Sequence, residues 1–212
     1  TEAAAKGALN QDAAMLARIR GIAGKIRPKT AVFRPDAPGW NWEISLIDSD
    51  EINAFCMPGG KIAFFYGLIE KLGLTDDEIA VVMGHEVAHA LREHSREQVS
   101  QALAAQTAID VGASLFGWGQ SASSLANVAY EALVATRFSR ADETEADRIG
   151  LALAARAGYD PRAGVSLWQK MTARSGGGLP EFLSSHPAGD KRIEEVNAVL
   201  PVVLPLYEAA RK

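Results

Sequence analysis

The sequence predicts an α+β chain, mostly α, with one small antiparallel sheet packed on a central helix. Three observations carry that prediction. Apolar residues recur at helical spacing over most of the 212 residues. Between residues 40 and 65 the period shortens to two, with turn residues between the runs. Apolar residues make up 48% and charged residues 23%, an ordinary folded composition. At about 150 residues per domain the expectation is a single domain over 1–212. It divides into an N-terminal helix and loop (1–35), a small β-meander (40–65) and a helical part (66–200).

Taken in order, residues 2–26 read as one helix, with Leu9, Leu16, Ile19, Ala23 and Ile26 roughly on one face. Pro28 and Pro35 mark its end and a loop. WNWEISLI at 40–47 alternates as a strand, DSDE is a turn, INAFCM at 52–57 a second strand, PGG a strong turn and KIAFF at 61–65 a third strand. A short helix covers GLIEKL. Thr75 is then a good N-cap, and Asp76, Asp77 and Glu78 suit the positive end of a helix dipole. That helix runs through IAVVMGHEVAHALREH. Two helices joined near GWGQSASS are expected over 100–136, another over 141–157 stopped by Gly158 and Pro161, and one over 162–174. SGGG at 175–178 is a break, SSHPAGD a loop, and 191–199 the last helix before Pro201 and Pro205 end regular structure.

Bulk properties exclude several classes. A net charge of −4 argues against a basic surface for nucleic acid. One cysteine, Cys56, rules out an internal disulfide and any site needing several thiolates. No apolar run reaches the length of a membrane-spanning helix. The start of the sequence does not read as a signal peptide, and Thr1 is no initiator, so a leader or lipid anchor ahead of it is left open. Of the four histidines, at 85, 89, 94 and 186, three fall within ten residues.

His85-Glu86-Val87-Ala88-His89 is the motif that carries chemistry. On a helix, positions i and i+4 lie about 40° apart, so both imidazoles can share one tetrahedral zinc ion. Glu86 lies about 100° round, beside the metal, where it can act as general base toward a water that the metal acidifies. The bland alternative is two surface histidines. Ile79, Val81, Val82, Met83, Val87, Ala88 and Leu91 weaken it, because a helix apolar on most sides is interior and buried His and Glu need partners.

A third ligand must come from elsewhere. The metzincin pattern fails, since Arg92 and Ser95 stand where its glycine and third histidine would be. His94, about 140° round from His89, is read as a structural hydrogen-bonding residue or solvated. The segment SRADETEADRIG at 139–150 is the other supplier. Glu143 and Asp147 share one helix face with the small residues Ala146 and Gly150, whereas Glu145 points away. Glu143 is therefore the expected ligand and Asp147 a second carboxylate near the metal. The alternative is a solvated acidic face paired with Arg140 and Arg148.

HEVAH, then SRADETEADRIG, then SHPAGDKRI at 185–193, together with NAFCMPGGKIAFFYGLI upstream, resemble the HtpX, CAAX-prenyl-protease and OMA family of zinc metallopeptidases. The likeness spans roughly 53–193. It implies a zincin-like (gluzincin) fold, one zinc per chain held by His85, His89 and Glu143, and endopeptidase activity with Asp147 assisting as proton donor. It further implies a minimal member without membrane spans, located in the bacterial periplasm or cell envelope. Its partners would be unfolded or misfolded protein substrates.

His186 falls near the active site in this likeness. It is read as an oxyanion contact, or as a fourth ligand that would hold the enzyme latent, or as a loop histidine on Pro187. Arg192 either orients Glu143, Asp147 or the substrate, or is a surface arginine. Gly59, Gly60, Lys61 and Ile62 are either an edge strand for an extended substrate or an ordinary hairpin turn. Cys56 is read as a small core residue. The leading function is peptide hydrolysis in protein quality control. The competing one is a chaperone-like protein whose zinc site His186 caps and whose partner surface is the apolar 105–135 stretch. An exopeptidase ranks low, since no motif for anchoring a substrate amino terminus is present.

Overall fold

The computed structural model describes residues 9–94, 96–97, 100, 138–173, 181–186 and 191–212. Apart from Ser100, the helices expected over 100–136 lie outside the described residues, as do the apolar 105–135 surface, the break at 175–178, residues 187–190 of the loop expected over 184–190 and the first residues of the N-terminal helix. The described chain is mostly helical with a small mixed sheet: α1 (Ala13–Ile26), β1 (Glu43–Ile47), β2 (Ala54–Met57), β3 (Lys61–Phe65), α2 (Tyr66–Leu72), α3 (Asp76–Leu91), α4 (Arg140–Arg156), α5 (Ala163–Ala173), α6 (Glu181–Ser185) and α7 (Arg192–Ala210). None of the described helices is long and apolar enough to cross a membrane.

Helix α1 begins at Ala13, because the Asp12 carboxylate caps it by accepting from the Met15 N–H. Before it, Leu9 forms a bridge with Ile47 and the Asn10 N–H donates to the Leu46 carbonyl, so this stretch lies along β1 and is not helical. Ile19, Ile22 and Ile26 turn inward and join the core.

The sheet is not the antiparallel meander expected. Its order is β1-β3-β2, with β1 parallel to β3 and β2 antiparallel to it. DSDE is a crossover and not a hairpin turn. The Gly67 N–H donates to the Ser49 carbonyl, and the Asp50 backbone presses on Gly67, where no Cβ would fit. This passage over the start of α2 puts β1 on the far side of β3. Lys61 and Ile62 therefore sit in the central strand, paired on both sides. The expectation that Gly59, Gly60, Lys61 and Ile62 offer a free edge is thus corrected. Gly59 and Gly60 make the β2–β3 turn at φ of 82° and 83°, with the Trp42 indole packed against Gly60. Both outer edges lack a strand neighbour among the described residues; the bridge from Leu9 lies along that of β1, and that of β2 carries no such bridge.

Helix α3 starts on a full capping box between Thr75 and Glu78, and every residue from Glu78 to Leu91 is buried. A helix apolar all round belongs inside a molecule. Glu78 is the buried exception near its start. It accepts from Lys170 Nζ at 2.7 Å, the Ser166 hydroxyl at 2.7 Å and the Thr75 N–H at 2.8 Å. Helix α4, opened by a Ser139–Asp142 capping box, crosses α3 where two glycines meet. A Cβ on Gly150 would lie 2.6 Å from the His85 nitrogen, and one on Gly84 would lie 2.5 Å from the Gly150 carbonyl oxygen. The backbones are thus in direct contact. Gly150 shares a face with Asp147 and Glu143, one and two turns earlier, so this crossing swings both carboxylates over the histidines.

Helix α7 runs on through Pro201 and Pro205, where regular structure was expected to stop. Each proline forfeits a helical hydrogen bond. Val203 is buried, and Leu206 and Tyr207 pack on the core, so tertiary contact continues past both prolines and outweighs that loss.

Candidate metal centre

Helix α3 turns His85 and His89 to one side, one turn apart, and α4 brings Glu143 against them. The residue after α6, His186, closes the set. Four donor atoms, one each from His85, His89, Glu143 and His186, lie within 4.8 Å of one another, and all four residues are buried. The two Nε2 atoms are 3.1 Å apart, His85 Nε2 is 3.2 Å from His186 Nδ1, and His186 Nδ1 is 2.8 Å from a Glu143 oxygen. The Glu143 oxygens stand 3.3 Å from His89 Nε2 and 3.6 Å from His85 Nε2. Ligands of a tetrahedral zinc with bonds of about 2.0–2.1 Å are spaced by about 3.3 Å, so these distances bracket that edge.

The chemistry of the donors agrees. His85 Nδ1 lies 2.9 Å from Asp147 Oδ1. A carboxylate accepts only, so the His85 proton sits on Nδ1 and Nε2 offers a lone pair to the centre. Lone pairs converging in a dry pocket fit a divalent cation. Phe138 stacks on His89 with ring centroids 3.9 Å apart, and Phe182 stacks on His186 at 4.5 Å, walling the pocket with apolar surface.

Arg192 is buried, with 4% relative exposure, and is therefore not the surface arginine of one reading. Its Nε donates to Asp147 Oδ2 at 2.5 Å, its Nη2 to Asp147 Oδ1 at 2.9 Å and its Nη1 to Glu143, while its guanidinium lies 4.0 Å from the Trp168 ring centre. Both Asp147 oxygens are thereby engaged. Asp147, expected as a second carboxylate near the metal, lies between His85 Nδ1 and Arg192.

Electrostatics follow from this burial. It works against an ionised Glu143, but His85, His186 and His89 outweigh it and hold its pKa well below the carboxylate range. Burial likewise opposes Asp147 ionisation, and Arg192 and His85 win. Burial favours neutral His85, yet Glu143 and Asp147 raise its affinity for positive charge. Burial drives His89 well down, toward the neutral form. Glu86 is raised, chiefly by burial, against the pull of His186 and His85. Its Oε1 is buried without a hydrogen-bond partner among the described residues, 3.4 Å from His186 Nε2. On its other side the Cys56 backbone N–H of edge strand β2 helps stabilise its charge. The Cys56 thiol is buried, and burial pushes its pKa well up, which suits a core residue and not a ligand.

His94 is hydrogen-bonded, as one of its two readings had it, but its partners were not named by the sequence. His94 Nδ1 lies 3.0 Å from His89 Nδ1, and His94 Nε2 lies 3.1 Å from Glu145. The angle counted along a continuous helix did not apply, because α3 ends at Leu91 and Glu93 takes a left-handed turn at φ 60°. Arg34 and Arg96 hold the Glu93 carboxylate at 2.7 Å and 2.9 Å, and the turn folds His94 back behind His89.

A histidine pair with an intervening glutamate on one buried helix, completed by a glutamate from a second helix, defines a zincin-like site. The sequence matches Peptidase family M48 over residues 19–200, and the chain belongs to this metal-dependent family. It is 39% identical over 191 residues to the mitochondrial metalloendopeptidase OMA1 of Bos taurus, covering 82% of this chain and 36% of that protein. It is 39% identical over 154 residues to the mitochondrial metalloendopeptidase OMA1 of Arabidopsis thaliana, covering 73% and 30%. With the beta-barrel assembly-enhancing protease of Escherichia coli it shares 30% identity over 173 residues, covering 75% and 35%. The chain thus spans about a third of the length of these relatives. The OMA likeness read from the sequence stands. The periplasmic or envelope location does not: the relatives named OMA1, from plants, animals and yeasts, are mitochondrial proteins.

Proposed function

We propose that the chain is a zinc metalloendopeptidase acting on unfolded or misfolded protein segments, in protein quality control. The observation that carries this reading is the convergence of His85, His89 and Glu143 on one point, with the unpartnered Glu86 carboxylate oxygen beside it. Zinc bound there supplies Lewis acidity, lowering the pKa of water and polarising a carbonyl. The remaining steps belong to side chains. Glu86 accepts the proton of the attacking water, and its raised pKa suits it to pass that proton to the leaving amine. Asp147 and Arg192 hold His85 and Glu143 in place. The outer edge of β2 supports backbone pairing with an extended substrate, which selects for unfolded chain and not for one sequence.

One further observation favours a latent resting state. His186 Nδ1 sits within the donor set, and a catalytic zinc needs an open position. With His186 in place the site is closed, so hydrolysis requires it to withdraw. Metal analysis and casein cleavage test both points. Glu86→Gln should retain one zinc per chain and lose cleavage by about 10²–10⁴-fold. His186→Ala should keep the zinc and cleave casein faster than the parent. Full activity in Glu86→Gln would sink the assignment, and slower cleavage by His186→Ala would make His186 a participant and not a cap.

A further inference from the structure

We infer that His94 and Glu145 form a positioning couple that fixes the tautomer of His89 and thereby prepares its Nε2 atom for the metal. The inference rests on His89 being a ligand, as proposed above.

The argument starts from Glu145. Its carboxylate lies 3.1 Å from His94 Nε2 and is held from the other side by Arg92 Nε at 2.9 Å. An ionised carboxylate has no proton to give, so His94 is the donor and its proton sits on Nε2. A neutral imidazole protonated at Nε2 offers a lone pair at Nδ1. His94 Nδ1 is 3.0 Å from His89 Nδ1, so His89 must donate there. Its own Nε2 is then left with a lone pair, pointing at His85 Nε2 and Glu143. With the other tautomer His89 would present an N–H to the centre and two nitrogen lone pairs would face each other behind it.

The arrangement gives the second histidine what Asp147 gives the first. Both supports come from α4: Asp147 touches His85 directly, whereas Glu145, on the opposite side of that helix, works through His94. The alternating acids Glu143, Glu145 and Asp147 thus have three separate tasks around one centre. His94 is itself buried, at 7% exposure, and packs beside Phe138, which lies flat on His89. The His89 ring is thereby held by a stacked face and a fixed edge.

Imidazole nitrogen NMR of the metal-free protein reads the tautomer without any zinc. Wild type should show His89 protonated at Nδ1 alone. His94→Phe, which keeps the bulk but removes the acceptor, should give a mixture of both tautomers. Glu145→Ala, at a half-exposed position that folding tolerates, should do the same. In chelator competition each should bind zinc about 10–100-fold more weakly than wild type, the size of effect typical of lost ligand support. His94→Asn, whose amide oxygen can stand in for the Nδ1 acceptor, should recover most of the affinity. An unchanged His89 tautomer in both His94→Phe and Glu145→Ala, or zinc affinity within about twofold of wild type in both, overturns the inference. A wild-type chain that binds no zinc would overturn the metal reading instead, while the tautomer result still decides the role of the couple.

Discussion

Replacing Gly150 by alanine tests whether the site depends on backbone contact between α3 and α4. The added Cβ would lie 2.6 Å from the His85 nitrogen and 2.8 Å from the Gly84 carbonyl carbon, and neither is a side-chain end that can swing aside. Reaching ordinary contact at 3.4 Å requires the helices to part by roughly 0.8 Å. Two effects compete. Alanine favours an isolated helix over glycine by about 1 kcal/mol. Overpacking a tight interior costs about 1–3 kcal/mol, and a backbone clash belongs near the top of that range. The clash should therefore win by about 1–2 kcal/mol, lowering Tm by about 2–8 °C for a chain of this length. The same displacement carries Glu143 away from His85 and His89, and a misplacement of about 1 Å can cost about 10²-fold in rate. Thermal denaturation, zinc titration and casein cleavage on Gly150→Ala read the three consequences together. A variant that melts at or above wild type and keeps full zinc affinity and activity would refute the reasoning, because the glycine would then be a dispensable weak point in a helix.

Arg192→Met should destabilise the metal-free protein by about 3–5 kcal/mol, since it strands the buried Asp147 and Glu143 carboxylates. Zinc should restore part of this, because the cation neutralises Glu143; melting curves with and without zinc would show the difference. Glu78→Gln should reveal a pH-dependent contribution. Burial works against the Glu78 charge, but Lys170, the Thr75 N–H and Ser166 prevail, and its folded pKa lies below the ordinary 4.5. A depressed pKa stabilises the fold above 4.5 and loses that contribution as pH falls through the folded value. The stability gap between wild type and Glu78→Gln in urea should thus be widest near neutral pH and shrink in acid; a constant gap would contradict it.

The convergence of His85, His89 and Glu143 was legible because helix geometry converts spacing into direction. His85 and His89 are fixed by one turn, and Glu143, Asp147 and Gly150 by their shared face. The two glycines that allow the close crossing could be read only in part, since Gly150 advertises a small surface but not what meets it. The partners of His94 were not legible because its direction depends on where α3 stops. That stop comes from a strained turn at Glu93 secured by Arg34, far away in sequence. The sheet order was missed for a similar reason. Local alternation marks three strands, while the parallel placement of β1 is decided by packing of Ser49 and Asp50 against Gly67. Arg192 was left between orienting Glu143 or Asp147 and a surface position, because only the docking of the first turn of α7 on α4 and Trp168 decides between them.

The His85–His186 contact joins residues 101 positions apart, and the Arg192–Glu143 pair spans 49. Closing such long segments is slow and is rewarded only when both halves of the chain have docked. A nascent or partly unfolded chain has the histidine pair on α3 but neither Glu143 nor its clamp. The four-residue donor set is therefore completed only late in folding, and it is dismantled when α4 or α7 comes loose. If the proposed peptidase function holds, an enzyme assembled in this order is poorly equipped to digest its own folding intermediates.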